Sequence, residues 1–307
     1  DQMKVIVIGY GSIGSRHASV LTELGCRVAL VSRRNIDFDL CYSSLKEALV
    51  EEQPEYVIIA NKTGDHFETL RVLDELGFKG TILIEKPLFQ FAQPFSNFRN
   101  NNIFVAYNLR FHPLIQKLHD FLRSENIISI MAYVGQYLPE WRPQLDYRLN
   151  YSAKKEEGGG VLRDLSHELD FLNWICGGWQ NITAIGGHYS HLEINSDDSF
   201  SVMMTTERCP SVMVQMNYLD RISQRIILVN TDQHTIKVDF IKGTFQIDAE
   251  VEQVQVERND TYLAQHQSVL DHRFDQLCTL EEGMDVMKMI QAIENSAYAD
   301  RERWEHK

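Results

Sequence analysis

A glycine-rich turn near the N-terminus constrains the fold of this chain more strongly than any other feature. It follows the apolar run Val5-Ile6-Val7-Ile8, it precedes a segment of helical pattern, and it reads Gly9-Tyr10-Gly11-Ser12-Ile13-Gly14. In a strand–turn–helix unit, the first glycine allows the tight turn, the second lets the backbone approach a ligand, and the third lets the helix pack on the strand. Because the free N–H groups that begin such a helix favour an anion, the motif predicts a dinucleotide diphosphate site at Gly9, Gly11, Ser12, Ile13 and Gly14.

The first third of the chain alternates short β-rich runs with helical patterns. Strands are predicted over 4–8, 27–31, 56–60, 81–85 and 103–106, with helices over 13–24, 45–51 and 66–76. Strict alternation favours right-handed crossovers and a parallel sheet that is covered on both faces. We therefore predict a doubly wound Rossmann domain over residues 1–120.

The pattern changes after about residue 120, where longer segments alternate with a period of two. These predicted strands cover 127–137, 182–190, 200–206, 211–218, 225–230 and 234–240, and helices are predicted over 160–175, 262–277 and 280–297. They indicate a second α/β domain over 121–307 with an open, mostly antiparallel sheet. Such a sheet must cover its apolar face, so we expect a homo-oligomer, either a homodimer or a homotetramer.

Composition excludes several classes of partner. The formal net charge is -13 and no run of lysine and arginine resembles a phosphate-backbone footprint, so we expect no nucleic acid. No apolar stretch approaches the roughly 18 residues that span a bilayer, so we expect a cytoplasmic protein with no membrane partner. Metal is not expected either, because the five cysteines are scattered, with no C-x-x-C pair, and the 11 histidines never form H-x-x-x-H.

The residues after the second strand bear on the choice of nicotinamide cofactor. Ser32, Arg33 and Arg34 stand where a carboxylate would bind the hydroxyls of the adenosine ribose. A hydroxyl and two guanidinium groups would instead hold a 2′-phosphate, which favours NADP(H). NAD(H) stays possible, because the two arginines could equally be solvated loop charges.

Two later strand ends should line the same cleft, since ligands of open α/β sheets bind outside the carboxyl ends of the strands. One carries Asn61, Thr63 and His66, and the other carries Glu85 and Lys86. A lysine directly after a buried strand suits a cationic donor aimed at a substrate oxygen. Lys86 alone would equally suit an ordinary strand-to-loop junction.

At this point the chain resembles a known family, the glucose-fructose oxidoreductase/inositol dehydrogenase (Gfo/Idh/MocA) oxidoreductases. The resemblance covers nearly the whole chain and rests on motifs in the family's order: the glycine turn, Thr63 to His66, Glu85-Lys86-Pro87, Tyr107 to Pro113, and Gly158-Gly159-Gly160 leading to Asp164 and His167. It implies a Rossmann domain, an antiparallel-sheet domain, and hydride transfer between NAD(P) and a carbinol carbon of a sugar, sugar nucleotide or cyclitol.

The resemblance also implies roles for individual residues. It makes Lys86 and His167 catalytic, with Asn108 at the cofactor and Arg110 at the substrate. Asp164 precedes His167 by three positions, whereas many relatives show a spacing of four, so its role is open. The sequence from Asp164 to Asp170 is similar to that of surface-sugar biosynthesis enzymes, which favours an amino-sugar or sugar-nucleotide substrate.

The predicted helix over 160–175 carries the acid–base chemistry. One face of this helix is an apolar core stripe with spacings of three and four, formed by Leu162, Leu165, Leu169, Leu172 and Cys176. Another face carries Asp164, His167, Glu168 and Phe171. Histidine suits reversible proton transfer near neutrality, so His167 is the candidate base and Lys86 would stabilise negative charge on the same oxygen. Patterning alone leaves open a hydrogen-bonded core histidine.

An aromatic and cationic stretch precedes the glycine triplet. Its Trp141, Arg142 and Tyr151 could bind an anionic sugar, because rings stack on sugar faces and arginine binds phosphate or carboxylate. A surface loop or a subunit contact is the alternative. For the whole chain, the alternatives to a dehydrogenase are a non-catalytic nucleotide-sensing protein of the same fold and an NAD-dependent glycosidase with tightly bound cofactor.

Overall fold

The structure is a computed structural model that describes residues 2–93 and 97–305, with side chains as far as residue 299. The elements of its first half are β1 (Lys4–Ile8), α1 (Ser12–Glu23), β2 (Arg27–Val31), β3 (Cys41–Tyr42), α2 (Leu45–Glu52), β4 (Tyr56–Ile59), α3 (His66–Glu75), β5 (Thr81–Ile84), β6 (Ile103–Val105), α4 (Pro113–Leu122), β7 (Ile127–Gly135) and α5 (Leu138–Trp141). Those that follow are α6 (Val161–Asp164), α7 (His167–Ile175), β8 (Trp179–Gly187), β9 (Ser199–Thr206), β10 (Ser211–Asn217), β11 (Gln224–Thr231), β12 (Thr235–Asp239), β13 (Thr244–Ile247), β14 (Glu250–Gln253), α8 (Asp260–Leu270), β15 (Cys278–Thr279) and α9 (Leu280–Glu305).

The chain forms two compact units that are discontinuous in sequence. Unit 1 comprises Asp1–Phe111 and Glu257–Met284, and unit 2 comprises His112–Val256 and Asp285–Lys307. This division differs from a single boundary after residue 120. The reason is that α8 packs on α1 and on the short helical turn Asn108–Phe111, while β15 pairs with β6, so a late segment completes the first unit.

Unit 1 is built on a seven-stranded sheet in the order β15-β6-β5-β4-β1-β2-β3. Its strands are parallel except for β15, which pairs antiparallel with β6. Every residue of β4 and β5 is buried, as expected for strands covered on both faces. The prediction of a doubly wound, Rossmann-type sheet is confirmed, and the ends of β1, β2, β4 and β5 therefore lie along one edge.

Unit 2 is built on an eight-stranded sheet in the order β14-β13-β12-β11-β7-β10-β9-β8. β7 and β10 pair in parallel, and the other neighbouring strands pair antiparallel. Buried and less buried residues alternate along β9 and β10, so one face of the sheet packs on the core of the unit. The mostly antiparallel sheet was predicted correctly, although the β13–β14 hairpin and α4 were not.

The prediction of a single helix over 160–175 is wrong. The segment forms two helices, which are separated at Leu165 and Ser166. Leu165 leaves the helical region with φ -103° and ψ 30°, and α7 then begins at His167. A distant segment sets the start of α6, since the N–H groups of Val161 and Leu162 donate to the backbone and side chain of Asp197. The predicted core stripe is confirmed, because all five of its members are buried.

The helix predicted over 262–277 is shorter than expected and ends at Leu270. His272 follows with a positive φ of 54°, a conformation that a continuing α-helix does not allow.

Among the described helices, none is long and apolar enough to cross a membrane.

Candidate functional site

The glycine turn of unit 1, Gly9 to Gly14, is the predicted diphosphate cradle, and its three glycines differ in what surrounds them. A Cβ on Gly9 (φ +95°) would lie 2.6 Å from the Ala60 carbonyl oxygen, and one on Gly14 would lie 2.2 Å from the Gly9 carbonyl oxygen. A Cβ on Gly11 would meet nothing within 4 Å, although Gly11 caps the start of α1. Packing therefore explains Gly9 and Gly14, while the open space beside Gly11 fits a diphosphate at the helix N-terminus.

The residues after β2 lie next to this turn. Arg34 Nη2 donates to the Tyr10 carbonyl oxygen at 2.8 Å, and the Arg34 N–H donates to Ser32 Oγ at 3.2 Å. Arg33 is exposed. The predicted cofactor residues Ser32, Arg33 and Arg34 thus lie at the same sheet edge as the glycines.

The loop after β4 offers one unsatisfied polar atom at this edge. Asn61 Nδ2 donates to Thr69 Oγ1 at 2.9 Å, while its Oδ1 is buried and accepts no hydrogen bond from the part of the chain that the structure describes. Asn61 borders Gly9, because a Cβ on that glycine would lie 2.8 Å from the Asn61 Cα. A buried acceptor beside the cradle fits a ligand that donates a hydrogen bond. Thr63 starts a short 3₁₀ turn and is half-buried.

His66 links two strand-end loops inside unit 1. Its Nδ1 lies 2.9 Å from the Leu88 carbonyl oxygen and its Nε2 lies 3.1 Å from that of Asn61. The ring is 1% exposed, and burial lowers the pKa of His66, against the opposing effect of the two carbonyl groups. His66 therefore lies between the loops that carry Asn61 and Lys86, and its contact with a cofactor stays a prediction.

Lys86 directly follows a completely buried stretch. Within residues 81–89, all of which are described, it is the one residue that is not buried. Its backbone N–H donates to Glu85 Oε2 at 3.0 Å, and Glu85 Oε1 lies 2.7 Å from His17 Nε2. The predicted Lys86 is thus half-exposed at the carboxyl edge of the sheet, on a backbone held by its neighbour.

Asn108 and Arg110 make contacts within unit 1. Asn108 Nδ2 donates to Thr261 Oγ1 at 2.8 Å. The Arg110 side chain is 2% exposed and donates to Glu282 Oε2 at 3.0 Å. These contacts join the 107–113 segment to the late part of unit 1, so the predicted cofactor contact of Asn108 and substrate contact of Arg110 stay predictions.

In unit 2, His167 is the first residue of α7. Within residues 161–173, a fully described stretch, it is the one residue that is not buried. Glu168, the next residue, forms a bidentate ion pair with Arg225 at 2.9 and 3.0 Å. The neighbouring carboxylate is thereby neutralised inside the unit, while the His167 side chain is half-buried and its Nδ1 atom is buried.

Asp164 accepts hydrogen bonds from three hydroxyl groups. Tyr151 donates at 2.9 Å, and Ser152 and Tyr218 each donate at 2.5 Å. The charge of Asp164 raises the pKa of Tyr151 well above its ordinary value, and burial does the same for Tyr218, so both phenols keep their protons. Asp164 anchors the segment around Tyr151, and a direct catalytic role for it stays a prediction.

The glycine triplet packs against the chain's own atoms. A Cβ on Gly159 would lie 2.1 Å from the Tyr151 carbonyl oxygen, and one on Gly160 (φ +109°) would lie 2.2 Å from Asp197 Oδ1. Internal packing, rather than approach to a ligand, thus explains why Gly159 and Gly160 lack side chains.

A surface pocket in unit 2 brings together three of the predicted substrate residues. It is lined by Leu138, Trp141, Arg142, Leu145, Asp146, Tyr147, Asn150, Tyr151 and Ser152. The Trp141 ring meets Tyr218 edge-on at 5.4 Å, and its buried Nε1–H finds no acceptor within the described ranges. The Tyr151 side chain is 45% exposed although its hydroxyl is bound to Asp164.

The predicted reactive residues belong to different units, with Lys86 in unit 1 and His167 in unit 2. Sequence reasoning missed Ser152, Tyr218 and Arg225, which hold the carboxylates around His167. Tyr218 lies 54 residues from Asp164 and Arg225 lies 57 from Glu168, so no local pattern pointed to them. In the described segments, no group of three or more His, Cys, Asp or Glu residues could hold a metal ion.

Comparison with protein families identifies the class of this chain. Residues 3–97 match the oxidoreductase family with an NAD-binding Rossmann fold, and residues 115–246 match the GFO/IDH/MocA C-terminal domain. Together these matches cover well over half of the chain. The chain belongs to the GFO/IDH/MocA oxidoreductase family.

Individual relatives are distant in sequence. A levoglucosan dehydrogenase from Pseudarthrobacter phenanthrenivorans is 24% identical over 174 residues, which cover 54% of this chain and 44% of that relative; the match thus spans less than half of the relative's length. A levoglucosan dehydrogenase structure with NADH has a TM-score of 0.83 at 15% identity and covers 97% of this chain and 98% of that one. UDP-N-acetylglucosamine 3-dehydrogenase GnnA from Acidithiobacillus ferrooxidans has a TM-score of 0.77 at 19% identity, with 97% and 99% covered. These structural likenesses show a shared fold.

Proposed function

We propose that this chain is an NAD(P)-dependent oxidoreductase that transfers a hydride between nicotinamide and a carbinol or keto carbon of a sugar, sugar nucleotide or cyclitol. One observation carries the proposal: Lys86 and His167 are each the single residue that is not buried in an otherwise buried stretch. A lysine and a histidine presented in this way suit a reaction that needs a cation and a proton acceptor. Family membership and the cradle at Gly11 support the redox part.

Each reactive residue has a distinct role in this proposal. When bound, the nicotinamide ring supplies the hydride chemistry. The His167 imidazole takes the proton of the substrate hydroxyl in the oxidative direction and returns it in reduction. The Lys86 ammonium stabilises negative charge on the reacting oxygen, and Asp164 keeps Tyr151 and its segment in position.

For the cofactor, we propose a preference for NADP(H). Ser32, Arg33 and Arg34 supply a hydroxyl and two guanidinium groups next to the glycine turn, without a carboxylate that would repel a 2′-phosphate. The structurally similar GenD2 from gentamicin A biosynthesis and levoglucosan dehydrogenase were solved with NAD and NADH, respectively. Both cofactors therefore belong in the test.

The pocket of unit 2 supports a carbohydrate substrate. Trp141 and Tyr151 offer ring faces and an indole N–H, while Arg142 is exposed and offers a guanidinium group for an anionic substituent. The named activities of two relatives are also on sugars, levoglucosan and UDP-N-acetylglucosamine. We propose an anionic sugar, such as a sugar nucleotide, as the first class to examine.

The decisive experiment is a screen of sugars, sugar nucleotides and cyclitols with NAD and NADP, read by the absorbance of the reduced nicotinamide. We expect release of free reduced cofactor with at least one sugar class. Cofactor that stays bound while a glycosidic bond is cleaved would favour a glycosidase instead. Cofactor binding without turnover on any class would favour a nucleotide sensor.

We also propose that the chain forms a homodimer or homotetramer through the open face of the unit 2 sheet. Leu228, Met131, Met213 and Met203 lie side by side on four adjacent strands. Leu228 is 36% exposed, Met131 is 47% exposed and Met203 is 58% exposed, so an apolar row faces outward from the unit. Light scattering at micromolar concentration should give a multiple of the 35.6 kDa chain mass, and the Met131→Asp variant should give the mass of one chain. A monomeric wild type contradicts this part of the proposal.

A further inference from the structure

A line of four buried polar side chains runs through unit 1 and ends next to Lys86. The Tyr56 hydroxyl lies 2.8 Å from His266 Nδ1, His266 Nε2 lies 2.7 Å from His17 Nδ1, and His17 Nε2 lies 2.7 Å from Glu85 Oε1. Tyr56 and both histidines are 0% exposed, and Glu85 is 8% exposed. The four residues come from β4, α8, α1 and the end of β5, so the line crosses the unit.

The donors and acceptors of this line allow one consistent direction when Glu85 is ionised and His17 is neutral. A carboxylate only accepts, so His17 Nε2 must carry a proton and donate it. A neutral His17 then accepts at Nδ1, so His266 donates from Nε2 and accepts the Tyr56 O–H at Nδ1. Both histidines are neutral Nε2–H tautomers in this arrangement, and every hydrogen bond points towards Glu85.

Groups around the line favour the same state. Burial lowers the pKa of His266 well below its ordinary value, and burial raises that of Tyr56 well above its own. Three further titratable groups lie beside the line. Tyr262 of α8 meets His17 edge-on at 5.9 Å, and Arg16 of α1 stacks on Tyr262 at 5.2 Å. The third is Cys26, whose ionised form would raise the pKa of Tyr56 further.

The line ends at a buried hydroxyl, so it has no second end at the surface through which a proton could leave. The other end of the line is Glu85, whose second carboxylate oxygen accepts the Lys86 backbone N–H at 3.0 Å. One carboxyl group therefore joins the buried line to the backbone of the reactive lysine. This geometry suits fixing of a loop better than transport of protons.

We propose that His17 and His266, completed by Tyr56, are positioning residues that hold the Glu85 carboxylate in one orientation and thereby fix the backbone of Lys86. The inference rests on the proposed function only where it concerns turnover. Two measurements test it: one reports on the line itself, and the other on Lys86.

The first measurement is ¹⁵N nuclear magnetic resonance of histidine-labelled wild-type protein, with the rings assigned from the His17→Gln and His266→Gln variants. We expect neutral Nε2–H tautomers for both rings at pH 7, and we expect His266 to stay neutral to lower pH than an exposed histidine does, because burial disfavours its imidazolium form. An imidazolium or an Nδ1–H tautomer in either ring at pH 7 overturns the proposed direction.

The second measurement compares His266→Leu, which removes the donor, with His266→Gln, whose amide N–H can replace it. In the leucine variant, we expect hydrogen exchange of the Lys86 amide to be at least about tenfold faster. We also expect kcat to fall by about the same factor, with a much smaller change in KM, because a misplaced reactive group affects turnover. The glutamine variant should recover most of both. Unchanged exchange and unchanged kcat in a folded leucine variant overturn the proposal.

A milder pair of variants covers the case in which His266→Leu does not fold. Tyr56→Phe removes only the terminal hydroxyl, and Tyr42→Phe is its matched control, because the Tyr42 hydroxyl makes a similar 2.7 Å hydrogen bond to Glu52 elsewhere in unit 1. We expect faster Lys86 exchange in Tyr56→Phe and no change in Tyr42→Phe. Equal exchange in both variants overturns the proposal. Amide exchange needs no substrate, so a chain without dehydrogenase activity would refute the proposed function and leave this test intact.

Discussion

The two units hold their candidate reactive residues by different means. In unit 1, Lys86 lies two residues after the end of β5, and the residue between them, Glu85, accepts its backbone N–H. In unit 2, His167 begins a helix whose surroundings come from far along the chain: Asp197 starts α6 from 35 residues away, and Arg225 binds Glu168 from 57 residues away. A strand end of a parallel sheet thus places Lys86 through the chain itself, and distant residues act only on its neighbour Glu85. A broken helix instead needs long-range hydrogen bonds in order to start.

The difference follows from what each fold requires. Parallel strands all end at one edge, so any polar residue after a strand lies near the others. In unit 2, by contrast, the N–H groups that start α6 need an acceptor from elsewhere because Gly160, its first capping residue, has no side chain. The comparison therefore predicts that loss of a distant hydrogen-bond partner changes whether α6 forms in unit 2, whereas in unit 1 it changes how firmly the Lys86 backbone is held.

The largest expected effect is on turnover. Lys86→Ala and His167→Ala should each lower kcat at least about a hundredfold, because each removes a charge-stabilising or proton-transferring group, while cofactor affinity changes much less. Steady-state kinetics and cofactor titration measure both. Lys46→Ala and His191→Ala, which change exposed residues of the same types, should behave as the wild type. If Lys86→Ala and His167→Ala also kept normal turnover, the comparison between two reactive residues would lose its basis.

The second effect is on stability, and its pH dependence tests the contact between Asp197 and the start of α6 in unit 2. Burial raises the pKa of Asp197 to about 6, against its hydrogen bond from the Leu162 N–H. The native state therefore binds the proton of the Asp197 carboxyl group more tightly than the unfolded chain does. The contribution of Asp197 to the free energy of unfolding falls as pH rises from about 4 to 6. Asp197→Asn keeps the acceptor and removes the charge.

We expect Asp197→Asn to stabilise the protein by about 2 kcal/mol at pH 7 and to have little effect below about pH 4. Denaturant unfolding at several pH values measures the difference. A variant that is less stable than the wild type at pH 7 would show that the ionised carboxylate is needed to start α6.

The third effect separates ligand binding from packing in the glycine turn of unit 1. Gly11→Ala places a Cβ in open space, so stability should stay unchanged while dinucleotide affinity falls about tenfold, because the methyl group takes the place of the diphosphate. Gly14→Ala places its Cβ 2.2 Å from a carbonyl oxygen and should lower stability as well. Calorimetry with NAD and NADP distinguishes the two variants, and normal affinity in Gly11→Ala would argue against the cradle.

The smallest effect concerns the exposed end of β2. Arg33→Ala should weaken NADPH binding about fivefold, the scale of an exposed ion pair, and should leave NADH binding unchanged. NADH serves as the internal control in the same fluorescence titration. Equal loss for both cofactors would remove the argument for a 2′-phosphate site.

Several features of this protein could be predicted from local sequence alone. Five of the seven strands of unit 1, the glycine turn and the leucine stripe of α6 and α7 agree with the structure, because periodicity and glycine spacing record burial and chain geometry over a few residues. The two-residue strands β3 and β15 were not predicted. The order of the motifs was also enough to identify the family.

Other features depend on contacts that a single sequence does not record. The break at Leu165, the burial of Arg110 against Glu282, and the three hydroxyl donors of Asp164 each involve partners brought together only by folding. The line from Tyr56 to Glu85 joins residues up to 249 positions apart. Sequence alone thus determined which residue types are available and which strands and helices they form. Only the tertiary structure decided which side chains are buried together and which remain accessible, because hydrogen bonding and burial are set by proximity in space.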